Sequence, residues 1–270
     1  MTEYWLPADM IWSYWIRKRW RNMPERYEKL DGFRGVTMLS MAAYHTLWDL
    51  NYMYGVKVHW YQTMPGFLWE RSICMSFILL SGFCWPLGHR HLKRGLTVFA
   101  AGALVSAVTF LAMPESIVLF GVLTLLGSCM LLLIPMNRVL RKIPPLAGIL
   151  CSLTLFVLLQ ELQKGYLNVF GLQIPLARQL YRNLFTAWLG FPPDGFYSVD
   201  YFPLLTWFPL FLTGYFLSLL VQERKEMGWL REWPGRFFPW LGRHSLIFYL
   251  LHQVVIYLIL EIIFRGRSYG

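Results

Sequence analysis

Seven apolar stretches of about twenty residues each, separated by short segments that hold most of the charge, constrain this chain more than any other feature. A helix of ~20 apolar residues crosses the ~30 Å hydrocarbon core of a bilayer. In lipid the backbone must satisfy its own hydrogen bonds, which leaves helices or a closed barrel. The runs show no period-2 alternation, and that selects helices. Composition points the same way: 56% of residues are apolar and only 15% are charged, with a mean hydropathy of +0.42. A soluble domain carries about a quarter charged residues. The expected fold is an all-α polytopic membrane protein, a single bundle of about seven transmembrane helices near 33–53, 67–87, 95–113, 116–134, 145–161, 200–221 and 245–264.

The remaining segments divide simply. Residues 1–30 form a basic, amphipathic N-terminal segment, 31–264 the transmembrane domain and 265–270 a tail. Trp12, Ile16 and Trp20 recur at helical spacing beside Arg17, Lys18, Arg19 and Arg21. That pattern suits an N-terminal interfacial helix, or equally an ordinary basic segment before a span. The opening residues lack the basic–apolar–small pattern of a secretory signal. The third and fourth spans meet at a tight turn around Pro114-Glu115. Between the fifth and sixth spans, 162–199 is long for a connection, and its middle, near 175–189, reads as a re-entrant or surface helix with Arg178 and Arg182 on one face. No internal repeat is visible, so an inverted-repeat transporter gains no support.

A net charge of +10 raises the question of nucleic acid, but the Lys and Arg residues lie in short clusters between apolar runs, where orientation signals belong. No nucleic-acid partner is expected. One side of the bundle receives Arg17, Lys18, Arg19, Arg21, Arg26, Lys29, then Arg90, Lys93, Arg94, then Arg138, Arg141, Lys142, then Arg224, Lys225, Arg231, Arg236 and Arg243. The other receives only Lys57, Lys164, Arg178, Arg182, Arg265 and Arg267. The positive-inside rule then predicts a multi-pass protein of the cell membrane with a cytoplasmic N-terminus and an extracytoplasmic C-terminus. Cys74, Cys84, Cys129 and Cys151 all fall in predicted spans without metal-ligand spacing and read as packing residues, so no metal is expected.

The first span is the unusual one. Residues 31–52 have the length of a crossing yet carry Asp31, Arg34, His45 and Asp49. Ionisable side chains inside a span cost several kcal/mol unless they face a polar interior, so they mark a functional site. Arg34 and His45 are eleven residues apart, roughly 16 Å along one face at ~1.5 Å per residue. Asp49 follows His45 at i+4, the spacing at which helix neighbours meet.

The assigned orientation gives each polar residue a depth. His45, Asp49, Glu70, Arg71 and Asp200 collect in the outer half, where Arg71 is expected to pair with Asp49 or Glu70. Asp31, Arg34, Arg243, His244 and Ser245 collect in the inner half. His252, two turns into the last span, reads either as a structural hydrogen-bonding residue or as part of the inner set. An aromatic and methionine-rich passage lies between the two clusters. The layout suits one long ligand, or two ligands meeting near His45.

Asp31-Gly32-Phe33-Arg34-Gly35, continued by Met38, Met41, Tyr44-His45 and Trp48-Asp49, resembles the first span of bacterial members of the heparan-alpha-glucosaminide N-acetyltransferase catalytic-domain family, which belongs to the transmembrane acyltransferases. Similar segments follow at Phe77-Ile78-Leu79-Leu80-Ser81-Gly82, Phe120-Gly121-Val122-Leu123, Leu189-Gly190-Phe191-Pro192, Asp200-Tyr201-Phe202-Pro203-Leu204, Leu241-Gly242-Arg243-His244-Ser245-Leu246 and Leu251-His252-Gln253. The resemblance runs from about residue 26 to 264.

It implies transfer of an acyl group, acetyl by preference, from cytoplasmic acyl-CoA to a hydroxyl or amine of an extracytoplasmic acceptor of the saccharide type. Acetyl-CoA is then the donor substrate, with the lipid bilayer as surroundings and homodimerisation left open. On that reading Arg34 and Arg243, with Asp31, His244 and His252, bind the donor, whose phosphates need the basic inner mouth. His45 acts as general base or nucleophile and Asp49 holds its tautomer. Arg71, with Glu70 beside it, stabilises the oxyanion or binds an anionic acceptor. Asp200, Trp48 and Arg178 are expected on the acceptor side. Two alternatives stay open: a non-catalytic transporter or solute-binding protein, and an acyltransferase acting on lipid.

Overall fold

The computed structural model describes residues 27–169 and 171–265. The proposed interfacial helix in 1–30 and the tail beyond 265 lie outside those residues. The described chain is almost entirely helical. Helix α1 (Glu28–Tyr52) is followed by a 3-10 turn at His59–Gln62, α2 (Met64–Cys84), α3 (His91–Ala112), α4 (Val122–Leu140) and α5 (Pro145–Leu158). A β-hairpin, β1 (Tyr166–Val169) and β2 (Leu172–Pro175), then leads to the short α6 (Leu184–Leu189), α7 (Leu204–Glu223), α8 (Phe237–Arg243) and α9 (Ser245–Arg265).

Among the described residues, six helices are long and apolar enough to cross a membrane: α2, α3, α4, α5 with the turn after it, α7 and α9. Helix α1 has 25 residues, ample length for a crossing, and its charged residues set it apart from the six. It packs between α2, α8 and α9, so its polar residues face protein. The protein is an all-α polytopic membrane protein.

Helices α4 and α7 form the centre. Leu125, Cys129 and Leu133 of α4 meet Leu210, Phe211 and Tyr215 of α7 and Ile78 of α2 in one buried cluster. Packing in lipid gains little from apolar burial, so close approach and interhelical hydrogen bonds carry the specificity. Gly82 on α2 faces the carbonyl of Phe211 while Gly214 on α7 faces the carbonyl of Leu79, so each glycine admits the other helix's backbone. Gly35 on α1 and Gly242 on α8 do the same against Phe238 and Asp31. Polar links fix the rest: Tyr215 donates to Asn137 at 2.7 Å, Ser152 and Thr213 bond at 2.8 Å, and Trp85 donates to the Met130 carbonyl at 3.1 Å.

Two expectations need correction. The segment near 175–189 is not one helix. Its start is strand β2, ending at Pro175, followed by a 3-10 turn at Arg178–Leu180 and the six-residue α6. Asn183 and Thr186 form a reciprocal cap that begins α6, and Gly190 at φ +135 ends it. The fourth crossing begins at Val122 rather than near 116. Residues 117–121 are apolar but not helical, because they hydrogen-bond to another loop: Val199 donates to the Ile117 carbonyl at 3.1 Å and Phe202 to that of Phe120 at 3.0 Å. Phe120 reverses the chain at φ +56, a conformation rare for an aromatic residue. Hydropathy alone reads such a segment as the start of a span.

Candidate active site

The N-termini of α1, α3 and α9 and the C-terminus of α2 converge at one end of the bundle around a cavity of about 480 Å³. Its mouth carries Arg34, His89, Arg90, Lys93 and Arg94; deeper in, Met38, Phe77, Val98, Leu126 and Met130 line it, and Tyr249 and Val122 lie further along. Arg34 is held in place from two sides. Its Nη1 bonds Asp31 at 3.2 Å, one turn back on α1, and its Nη2 donates to the Cys84 sulfur at 3.1 Å. With Asp31 and Cys84 each holding one of its terminal nitrogens, the guanidinium lines the cavity. Cys84, read as a packing residue, therefore also orients Arg34.

Of the other residues expected at this mouth, Ser245 lines it, while Arg243 and His244 just before it are not among the lining side chains. Arg243 and His244 are exposed, and His244 donates through Nδ1 to the Trp240 carbonyl at 2.8 Å. His252 does not line the cavity, but it packs on Tyr249, which does, at 5.6 Å between ring centroids. The cationic lining comes largely from Arg90, Lys93 and Arg94, which sequence reasoning read only as an orientation signal, with His89 beside them. A usable cue was present: five of the six residues from His89 to Arg94 are basic, all at the start of one span.

Further along α1, His45 and His252 come together across the α1–α9 contact, with ring centroids 5.0 Å apart. Tyr44 and Trp69 pack beside them, and Trp69 Nε1 donates to Ser40 at 2.8 Å. Asp49 bonds Gln253 rather than His45. Its carboxylate is fully buried and takes hydrogen bonds from Gln253 Nε2 at 2.8 and 3.1 Å. The i+4 spacing made a His45–Asp49 contact available, but α9 supplies a neutral amide donor that bridges both carboxylate oxygens at once.

Arg71 pairs with neither Asp49 nor Glu70. Its guanidinium lies over the rings of Phe67 at 5.1 Å and Trp207 at 5.5 Å, an arrangement that offsets burial of a cation through the aromatic faces. Glu70 instead accepts from Tyr44 Oη at 3.4 Å. Asp200 accepts from the Val122 backbone N–H at 3.3 Å and caps the start of α4, while Ser198 bonds both backbone groups of Leu119. Burial, aided by Glu70, pushes the Asp200 carboxyl up to about 6. Trp48 is half-buried and meets Tyr52 at 5.1 Å between ring centroids. Arg178 is exposed in the turn after the hairpin and makes no hydrogen bond or ion pair with these residues.

The site thus has two parts. A cation-rimmed, apolar-walled cavity opens at one end, and a histidine pair adjoins it: Tyr249 of the lining packs on His252 at 5.6 Å between ring centroids, and His45 lies seven residues past Met38 on α1, about 10 Å at ~1.5 Å per residue. No curated protein and no solved structure matches the chain. The family model for "Heparan-alpha-glucosaminide N-acetyltransferase, catalytic" matches residues 26–254, a range that takes in the cavity, the histidine pair and every helix from α1 into α9. On that match the chain belongs to the heparan-alpha-glucosaminide N-acetyltransferase catalytic-domain family.

Proposed function

We infer that the protein is an integral-membrane acetyltransferase that moves an acetyl group from acetyl-CoA to a hydroxyl or amine of a saccharide-type acceptor presented on the opposite side of the membrane. One observation carries this reading: a cavity of about 480 Å³ with Arg34, Arg90, Lys93 and Arg94 at its mouth and apolar side chains within. Small-molecule sites occupy about 300–1,000 Å³. Guanidinium and ammonium groups suit the phosphates of a CoA nucleotide, and Met38, Phe77 and Leu126 suit its pantetheine arm. The concentration of Lys and Arg at this end supports its assignment to the cytoplasmic side of the cell membrane.

To reach His45 the arm passes Met38 and Tyr249, both in the lining of the cavity. Met38 is a flexible filler suited to giving way. His45 then takes the proton of the acceptor hydroxyl or amine as that atom bonds to the acetyl carbon. The carbon–sulfur bond breaks, and the proton passes from His45 to the departing CoA thiolate. The products are the acetylated acceptor and CoA thiol, with no further reactant.

The test uses the purified protein in detergent with radiolabelled acetyl-CoA and glucosamine as the acceptor probe. Wild-type protein transfers label; His45→Ala loses transfer but keeps the rise in melting temperature caused by CoA. Full transfer by His45→Ala sinks the assignment of the base.

A further inference from the structure

His252 has one nitrogen committed and one bare. Its Nδ1 lies 2.6 Å from the Tyr249 carbonyl oxygen. A carbonyl only accepts, so Nδ1 carries the proton and the neutral ring presents Nε2 as a lone-pair acceptor. That Nε2 is buried without a hydrogen-bond partner, and the residue is 8% exposed. Leaving a buried acceptor unsatisfied costs about 1–3 kcal/mol, and such groups in a native fold call for a reason.

The surroundings narrow what the reason can be. Phe248 stacks on the ring at 6.2 Å between centroids and 12° between planes, and Tyr249 packs at 5.6 Å. The polar neighbour is the His45 ring at 5.0 Å. Two imidazoles joined by an N–H···N bond of ~2.9 Å have centroids about 5 Å apart, so the observed spacing suits such a bond once the rings align. The spacing is pinned from outside: Gln253, the residue after His252, bonds Asp49, one turn beyond His45.

We propose that His252 is the positioning partner of His45: its bare Nε2 accepts the N–H of one His45 nitrogen and so leaves the other His45 nitrogen free to take the acceptor's proton. The inference rests on the acetyl-transfer reading above and assigns to His252 the tautomer-holding task that spacing had suggested for Asp49. When His45 becomes imidazolium, the N–H facing His252 stays hydrogen-bonded while the other proton goes on to the CoA thiolate. His252 itself exchanges no proton, and Asp49 acts one step further out, by fixing α9 against α1 through Gln253.

Two substitutions separate this task from a structural one. His252→Asn keeps an N–H where Nδ1 meets the Tyr249 carbonyl and removes the distal acceptor. His252→Gln keeps an acceptor near the Nε2 position and loses the Nδ1 contact. Release of CoA thiol from acetyl-CoA, with glucosamine as acceptor probe, is measured alongside the melting-temperature rise that acetyl-CoA causes. The expected result is a kcat about a hundredfold down in His252→Asn but only about tenfold down in His252→Gln, with the KM for acetyl-CoA unchanged in both. A structural role predicts the reverse order. His252→Asn turning over as fast as His252→Gln or faster overturns the inference. So does a His252→Gln protein that keeps its donor-induced shift and has no turnover. Absence of thiol release by the wild-type protein overturns the acetyl-transfer reading itself and this inference with it.

Discussion

Gln253 on α9 bridges both carboxylate oxygens of Asp49 on α1 through one amide nitrogen, at 2.8 and 3.1 Å, in a place where Asp49 has no exposure at all. This bond joins residues 204 positions apart in sequence, next to the contact of His45 with His252. An anionic acceptor buried this deeply depends on its donor, since removing one partner leaves the other with its full desolvation penalty.

Gln253→Ala is therefore expected to destabilise the protein by about 1–3 kcal/mol, and to lower the unfolding midpoint in detergent by about 3–8 °C. Asp49→Asn, which still offers an oxygen to the Gln253 amide, is expected to cost less than Asp49→Ala. Thermal unfolding of the three variants checks this, and an unchanged midpoint for Gln253→Ala contradicts it.

The basic mouth predicts a different pattern. Arg90→Ala, Lys93→Ala and Arg94→Ala are each expected to weaken acetyl-CoA binding by about tenfold or more, the value of a charge-assisted contact. Arg243→Ala, at an exposed position outside the cavity lining, is expected to stay within about twofold. Titration calorimetry on the purified protein distinguishes the two groups.

Helix contact at Gly82 leaves no room for a side chain, because the Phe211 carbonyl of α7 occupies the space a Cβ would need. Gly82→Leu must push α2 and α7 apart at the centre of the bundle. The expected outcome is loss of monodisperse protein in size-exclusion chromatography, while Gly228→Ala, where nothing lies within 4 Å, remains monodisperse.

Asp200 gives a pH signature. Burial raises its carboxyl from the ordinary 3.8 to about 6. The folded state thus binds this proton more tightly than the unfolded chain, so the group's effect on stability is most favourable below 3.8 and is lost as pH rises through about 6. Melting midpoints are expected to fall between about pH 4 and 6 from this group, and Asp200→Asn, whose side-chain oxygen can still accept from Val122, is expected to flatten that part of the curve. A curve unchanged by the substitution rules this out.

Much of the architecture was legible because hydropathy acts locally. Runs such as 204–223 are apolar throughout and need no partner to declare themselves as crossings, and Arg34 declared itself by standing inside one. The non-helical segment 117–121 was not legible, since its conformation is set by hydrogen bonds to residues 198–202 some eighty positions away. Residues 175–189 are interrupted for a related reason: the chain leaves the hairpin at Pro175, turns at Arg178–Leu180 and becomes helical only from Leu184, where Asn183 and Thr186 cap it.

The polar residues divide along the same line. By itself the sequence determined that this is a helical membrane protein of one family, with ionisable groups placed at two depths on its first helix. Which of those groups meet was decided only by the tertiary structure. Spacing along one helix offered Asp49 to His45, but α9 brought a better donor to Asp49 and an imidazole to His45. Basic residues that looked like orientation signals became the rim of a cavity, because α1, α2, α3 and α9 end together there. Hydrogen-bond partners of buried groups depend on which helices cross and at what register, and that information lies in packing between distant segments rather than in any one of them.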